Sequence, residues 1–96
     1  MAADFLIVRR AKIIARNVRV GRGEIDLVMS LDGRRVAVEV KTIQTGRLDD
    51  PAFAFTPTKA AHVRSLANRL GIPRVDLVAV SIGPSGVAIR WIPEVA

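Results

Sequence analysis

Two acidic residues and a nearby lysine occupy a short segment whose spacing could support metal-ion chemistry. The segment, Gly23 to Thr42, reads GEIDLVMSLDGRRVAVEVKT. Its Asp32-Gly33 pair suits the two positive φ angles of a type I′ turn, so we predict a β-hairpin with a two-residue loop. Leu31 would then lie opposite Arg34. Counting outward in this register places Asp26 opposite Glu39, so two carboxylates would meet across the hairpin.

The same register divides the hairpin into a charged face and an apolar face, because side chains alternate along a strand. The predicted charged face consists of Glu24, Asp26, Val28, Ser30, Arg35, Ala37, Glu39 and Lys41. The predicted core face consists of Ile25, Leu27, Met29, Leu31, Val36, Val38 and Val40. The acids and the lysine are therefore expected to share one surface.

Opposed carboxylates repel each other by about 0.2–1 kcal/mol, so a proton, Lys41 or a metal ion must offset the repulsion. Asp26, Glu39 and the carbonyl of Val40 could hold Mg²⁺ or Mn²⁺, which prefer oxygen ligands. Lys41 would lie beside a metal-bound water and act in catalysis. The alternative is an exposed face whose charges cancel as salt bridges worth ~0–1 kcal/mol. Glu24 would lie opposite Lys41, as a neutralising partner or as an accessory ligand.

The rest of the chain predicts one domain over residues 1–96 with an α/β fold. We expect strands at 12–20, 24–31, 34–42, 74–82 and 87–92, with a loop from Thr42 to Phe55 that Phe53 and Phe55 anchor. A helix is expected after the loop, with Thr56 as its N-cap and Gly71 after its end. The predicted architecture is a mixed five-stranded sheet in the order βββ-α-β-β. Asp76 is expected to be structural and Trp91 to belong to the core or to an interface.

The first ten residues are expected to form a short lead-in to the first strand, either helical or extended. One main helix can cover only one face of a five-stranded sheet. Either this lead-in or a second subunit, forming a homodimer, should cover the other face. His62, on the polar side of the helix, is expected to be solvated.

The charge distribution indicates a polyanionic partner. The net charge is +6, and most of the 15 cations are arginines, whose planar side chains suit phosphate oxygens. Two acid-free regions supply the candidate nucleic-acid-binding residues, which are Arg16, Arg19, Arg22, Arg64 and Arg69. A basic, well-solvated surface is the alternative. The chain has no cysteine, which suits the cytoplasm, and no apolar run near the ~20 residues needed to cross a membrane.

Several short motifs together resemble the YraN family of small bacterial proteins, which have the restriction-endonuclease-like PD-(D/E)xK fold. The segments that carry the resemblance lie between residues 12 and 82 and are Arg16-Asn17, Gly23-Glu24-Ile25-Asp26-Leu27, Val38-Glu39-Val40-Lys41-Thr42, Pro51, Lys59 and Arg74-Val75-Asp76. The resemblance implies that Asp26 and Glu39 bind metal, that Lys41 is catalytic and that Lys59 is an accessory residue. It also implies hydrolysis of phosphodiester bonds in DNA, including branched DNA.

This chain departs from the family pattern in three places. Only about ten residues precede the first strand, where the family usually has a full helix that carries an acid. Ile43 and Val75 replace an arginine and a phenylalanine. The leading prediction is a metal-dependent endonuclease-like protein. The alternatives are a non-catalytic nucleic-acid-binding protein with the same fold and a dimeric structural or interaction module.

Overall fold

The computed structural model describes residues 1–44 and 55–96, which form one mixed sheet with a helix on each face. The elements are α1 (Ala2–Val8), β1 (Lys12–Val20), β2 (Gly23–Leu31), β3 (Arg34–Gln44), α2 (Pro57–Arg69), β4 (Val75–Gly83) and β5 (Gly86–Ile92). The strand order is β1-β2-β3-β4-β5; β3 and β4 are parallel and the other neighbours antiparallel. The predicted α/β architecture, a mixed five-stranded sheet with the element order βββ-α-β-β after the lead-in, is confirmed.

The β2–β3 hairpin has the predicted turn and register. Asp32 and Gly33 have φ angles of 51° and 79°, as a type I′ turn requires. Pairing runs from Leu31 opposite Arg34 to Leu27 opposite Val38. The third strand is longer than predicted and ends at Gln44. The predicted loop anchor Phe53 lies outside the described residues.

Helix α2 begins and ends where the sequence predicts. The hydroxyl of Thr56 accepts a hydrogen bond from the Lys59 amide at 3.3 Å, and Pro57 is the first helical residue. Gly71 follows the helix with a φ of 71°, a conformation that glycine adopts without the steric cost of a Cβ. Within the described residues, no helix is both long enough and apolar enough to cross a bilayer.

Two apolar layers lie on opposite sides of the sheet. The layer under α1 consists of Ala2, Ala3, Leu6, Ala11, Leu27, Met29, Val36, Val38, Val78 and Val80. The layer under α2 consists of Val20, Ile25, Val28, Ala37, Val63, Leu66, Ala67, Ile72 and Val75. The lead-in is therefore helical and covers the face that α2 leaves open. The hairpin face predicted to be charged is partly apolar core, because α2 covers it.

Side-chain alternation is interrupted at one place in β1 and at one place in β2, and for β2 the predicted strict alternation is therefore wrong. The pairing of β1 with β2 shifts between Ile13 and Ala15, and Ile14 is 53% exposed at this bulge. In β2, Ile25 packs under α2 whereas Leu27 packs under α1. The side chains therefore change faces at Asp26, between two residues that an uninterrupted strand would place on one face.

Asp76 anchors the last strand and the residues after it, as its predicted structural role requires. Its carboxylate is fully buried and accepts hydrogen bonds from Arg74 Nε at 2.9 Å and Nη2 at 3.0 Å. It also accepts from Trp91 Nε1 at 2.8 Å and from the Glu94 amide at 2.9 Å. These bonds satisfy a buried charge that would otherwise be costly.

Candidate metal and nucleic-acid site

Asp26 lies where β2 separates from β3. Regular pairing between the strands ends at Leu27 and Val38. Two residues farther along β3, the Val40 amide donates a hydrogen bond to Asp26 Oδ2 at 2.7 Å. A side-chain carboxylate has therefore taken the place of a backbone carbonyl in the ladder. This bond fixes the Asp26 carboxylate against β3, where it interacts with the Glu39 carboxyl as well.

The carbonyl of Val40 is directed toward the same gap between the strands. In an extended strand, the N–H and C=O of one residue point to the same side, as the paired bonds of an antiparallel ladder require. Because the Val40 amide points to Asp26, its carbonyl oxygen faces the β2 side as well. Residues on two strands thus direct a carboxylate and a carbonyl into one opening.

Glu39 adds a second carboxylate with unusual ionisation. Its side chain is only 15% exposed, and Lys41 Nζ lies 3.7 Å from its Oε1. Burial and, after it, the negative charge of Asp26 raise the pKa of Glu39 from 4.5 to about 7, against a lowering contribution from Lys41. Burial and the Asp26 charge thus both favour the protonated form of Glu39, whereas Lys41 favours the ionised form.

The raised pKa predicts an unusual pH dependence of stability. A carboxyl with a higher pKa in the folded state favours folding at low pH. This contribution is fully present below pH 4.5 and is lost as pH rises through about 7. With divalent metal removed, Glu39→Gln should therefore match the wild type near pH 4 and exceed its unfolding free energy by about 2–3 kcal/mol at pH 8.

Urea unfolding across pH 4–8 would measure this difference, with exposed Asp4→Asn as the matched control. A Glu39→Gln difference that does not change with pH would contradict the raised pKa.

The donor set fits a hard divalent cation. No group of three or more His, Cys, Asp or Glu residues that could hold a metal occurs in residues 1–44 and 55–96. Mg²⁺ commonly keeps several waters and needs only one or two protein carboxylates. Asp26, Glu39 and the Val40 carbonyl offer that combination of oxygens. Zinc prefers nitrogen and sulfur ligands and is matched less well.

A cavity of about 330 Å³ beside Glu39 brings residues of α2 to the site. It is lined by Glu24, Glu39, Lys41, Thr58, Lys59, His62 and Val63. Glu24 and Lys59, predicted as accessory residues, thus border the same space as Lys41. The predicted cross-strand pairing of Glu24 with Lys41 is wrong, because β2 has left β3 at this level and Glu24 is registered with Arg19 of β1.

His62 lines this cavity although the sequence predicted only a solvated residue. Gly23 allows the helix to approach this closely, since a Cβ on Gly23 would lie 2.7 Å from Leu66 Cδ1 and 3.3 Å from His62 Nε2. His62 is exposed, as predicted, but the sequence did not predict that it borders the same cavity as Glu39 and Lys41. Its three-residue spacing from Lys59 was the available signal, because residues so spaced share a helix surface.

The five candidate arginines lie in different surroundings. Arg16 borders a cavity with Asp26, and Arg19 and Arg22 lie at and after the end of β1. The Arg69 side chain lies over the β1–β2 turn: a Cβ placed on Gly21 would be only 2.6 Å from Arg69 Nη1. Arg64 instead donates to the Pro73 carbonyl at 2.6 Å. Arg64 therefore contacts a different part of the molecule from the arginines near the β1–β2 turn.

Residues 1–80 match the model of the uncharacterised protein family UPF0102. This chain belongs to the UPF0102 family. That assignment confirms the resemblance to the YraN family and is consistent with the PD-(D/E)xK superfamily.

Similar UPF0102 proteins occur in several bacteria. The chain is 43% identical over 93 residues to one from Symbiobacterium thermophilum, covering 88% of this chain and 79% of the relative. It is 39% identical over 99 residues to one from Streptomyces coelicolor, covering 93% and 76% respectively. Among solved structures, it is similar to Pyrococcus furiosus SfsA in complex with Ca²⁺, with a TM-score of 0.38, 15% identity, and coverage of 95% of this chain and 58% of that chain.

Proposed function

We propose that this UPF0102 protein is a metal-dependent endonuclease that hydrolyses phosphodiester bonds in DNA. The observation that carries the proposal is the end of β2–β3 pairing at Asp26. There the Asp26 carboxylate binds the Val40 amide at 2.7 Å, beside the Glu39 carboxylate, and Lys41 Nζ lies 3.7 Å from Glu39. Because DNA is the proposed substrate, we also propose that the protein acts in the cytoplasm.

Asp26, Glu39 and the Val40 carbonyl would hold Mg²⁺ or Mn²⁺. When bound, such an ion polarises a phosphoryl oxygen and lowers the pKa of its water. Asp26 is held in place by the Val40 amide, so little reorganisation is needed when a ligand arrives. Because burial and Asp26 raise the pKa of Glu39 to about 7, metal binding near neutral pH would release a proton, since a ligating carboxylate must be ionised.

Lys41 would act on the attacking water. Its ammonium group lies beside Glu39, where it can donate a hydrogen bond to a water and offset negative charge that develops on phosphate. Lys59 and His62 border the same cavity from α2 and supply hydrogen-bond donors for phosphate oxygens. The donors thus come from both the sheet and the helix that packs on it.

The cleavage experiment compares Lys41→Met with Lys12→Met, a change at an exposed lysine at the start of β1. Branched, single-stranded and duplex DNA are incubated with Mg²⁺, Mn²⁺ or EDTA. We expect metal-dependent cleavage that falls by about 100-fold in Lys41→Met and is unchanged in Lys12→Met. Cleavage that persists in EDTA, or that is equal in the two variants, would contradict the proposed site.

A non-catalytic nucleic-acid-binding role is the second candidate. It is favoured by the guanidinium of Arg69 lying over Gly21, in the β1–β2 turn that also contains Arg22. This role requires salt-sensitive binding without turnover. A homodimer is a weaker proposal, since α1 already covers the sheet face that a second subunit was expected to cover.

A further inference from the structure

We infer that a cavity on the α1 side of Asp26 binds an unpaired nucleobase and that Asn17 contacts this base. The inference takes its substrate class from the proposed function and assigns a new binding subsite to it. The cavity has a volume of about 400 Å³ and is lined by the first residues of α1 together with Arg16, Asn17, Asp26, Leu27 and Val40. It lies across the sheet from the cavity that contains Lys41.

Asn17 has a backbone conformation that is rare inside a strand. Its φ is 52°, between Arg16, which pairs with Leu27, and Val18, which pairs with Ile25. A non-glycine residue with positive φ is uncommon, although asparagine tolerates it better than most. Such conformations are strained and cluster at ligand and catalytic sites. The structure keeps this conformation directly beside the candidate metal ligands.

The conformation of Asn17 determines which way Arg16 points. Val18 packs under α2, and regular alternation would place Arg16 on that face as well. Arg16 instead borders the cavity on the α1 side. In the neighbouring strand β2, the side chains switch to the other side of the sheet at the same level, since Ile25 packs under α2 and Leu27 under α1. The irregularity therefore brings a guanidinium and an amide to the opening beside Asp26.

The chemistry of this cavity suits a base better than a phosphate. Arg16 and Asp26 have opposite charges, and the ammonium of Met1, which also lines the cavity, is paired with Asp4 at 3.9 Å. The cavity therefore lacks the excess positive charge that a phosphate requires. The amide of Asn17 offers both a donor and an acceptor, which is what the edge of a nucleobase presents. A planar guanidinium can also stack on a base. Because Asp26 and Val40 line this cavity and also form the candidate metal site, the base belongs to a nucleotide adjacent to the bound phosphate.

The size of the cavity indicates an unpaired base. A volume near 400 Å³ lies within the range of small-ligand pockets. A base must leave the duplex stack to enter such a pocket, which costs least in a strand that is already single. The inferred subsite therefore favours single-stranded or branched nucleic acid over intact duplex.

The test measures binding of single-stranded DNA in which one nucleotide at a time is made abasic. Fluorescence anisotropy in Ca²⁺ buffer and in EDTA gives the dissociation constants. The variant is Asn17→Gly, because glycine adopts a positive φ without strain and so removes the side chain while keeping the backbone. Exposed Asn68→Gly would weaken α2, so Asn68→Ala is the control.

We expect the wild type and Asn68→Ala to lose about tenfold in affinity when one particular base is missing, consistent with the contribution of one stacked base. Asn17→Gly should bind the intact and abasic strands equally. Equal binding of both strands by the wild type, discrimination retained in Asn17→Gly, or no binding of nucleic acid would overturn the inference. Cleavage without base discrimination would refute this subsite alone, whereas discrimination without cleavage would refute only the proposed catalysis.

Discussion

Asp26→Asn is expected to lower metal-dependent DNA cleavage by at least about 100-fold while leaving the fold intact. The amide oxygen of asparagine can still accept the hydrogen bond from the Val40 amide, which the wild-type carboxylate accepts at 2.7 Å. The negative charge that would hold a divalent cation is lost. Asp26→Ala is a poorer choice, because it leaves the Val40 amide without its partner at a cost of about 1–3 kcal/mol.

The measurements are the cleavage rate in Mn²⁺, Mn²⁺ binding by calorimetry, and thermal unfolding. Asp4→Asn is the matched control, since the Asp4 side chain is 86% exposed. We expect Asp26→Asn to lose Mn²⁺ binding and to unfold near the wild-type temperature. Asp26 should also cease to raise the pKa of Glu39. Undiminished cleavage in Asp26→Asn would eliminate this residue as a metal ligand.

Asp76→Ala is expected to lower the free energy of unfolding by about 3 kcal/mol. The substitution leaves Arg74, Trp91 Nε1 and the Glu94 amide without the buried carboxylate that accepts from all of them. Arg74 is 30% exposed and can turn to water, which keeps the cost from being greater. In a domain of this size each kcal/mol changes the melting temperature by roughly 4–8 °C, so a fall of more than about 10 °C should follow.

A series of three variants distinguishes the loss of the Asp76 hydrogen bonds from a general loss of packing. Trp91→Phe keeps most of the ring and removes one hydrogen bond to Asp76, so it should cost only about 1 kcal/mol. Asp4→Ala, on the exposed side of α1, should cost less than about 0.5 kcal/mol. Urea denaturation of the three variants gives the comparison. A loss in Asp76→Ala no larger than that in Asp4→Ala would show that the buried network contributes little to stability.

The parts of the fold that local chemistry determines were predictable from sequence. Asp32-Gly33 determines the turn, and through it the register of β2–β3 pairing as far as Leu27 opposite Val38, the pair that precedes Asp26 and Glu39. Thr56 and Gly71 mark the ends of α2 for equally local reasons. These signals lie within a few residues of the feature that they determine, so no tertiary information is needed.

The features that sequence reasoning missed depend on contacts between distant segments. Nothing in the alternation of β2 shows that Ile25 belongs under α2 and Leu27 under α1, because the change of face is set jointly with Asn17 on the neighbouring strand. A seven-residue helix such as α1 is too short to be stable alone and forms because the sheet offers it an apolar surface. His62 reaches the site only because Gly23 lets the helix approach.

The contacts of Asp76 have a consequence for the nascent chain. The partners that hold the start of β4 come late in synthesis, at Trp91, Glu94 and Val95, whose amide donates to the Val75 carbonyl at 2.9 Å. Because β4 is the parallel neighbour of β3, the middle of the sheet cannot be secured until those residues have left the ribosome. The hairpin that carries Asp26, Glu39 and Lys41 is synthesised long before this support exists. The nascent chain therefore holds these carboxylates and this lysine before it holds the residues that support β4 beside them.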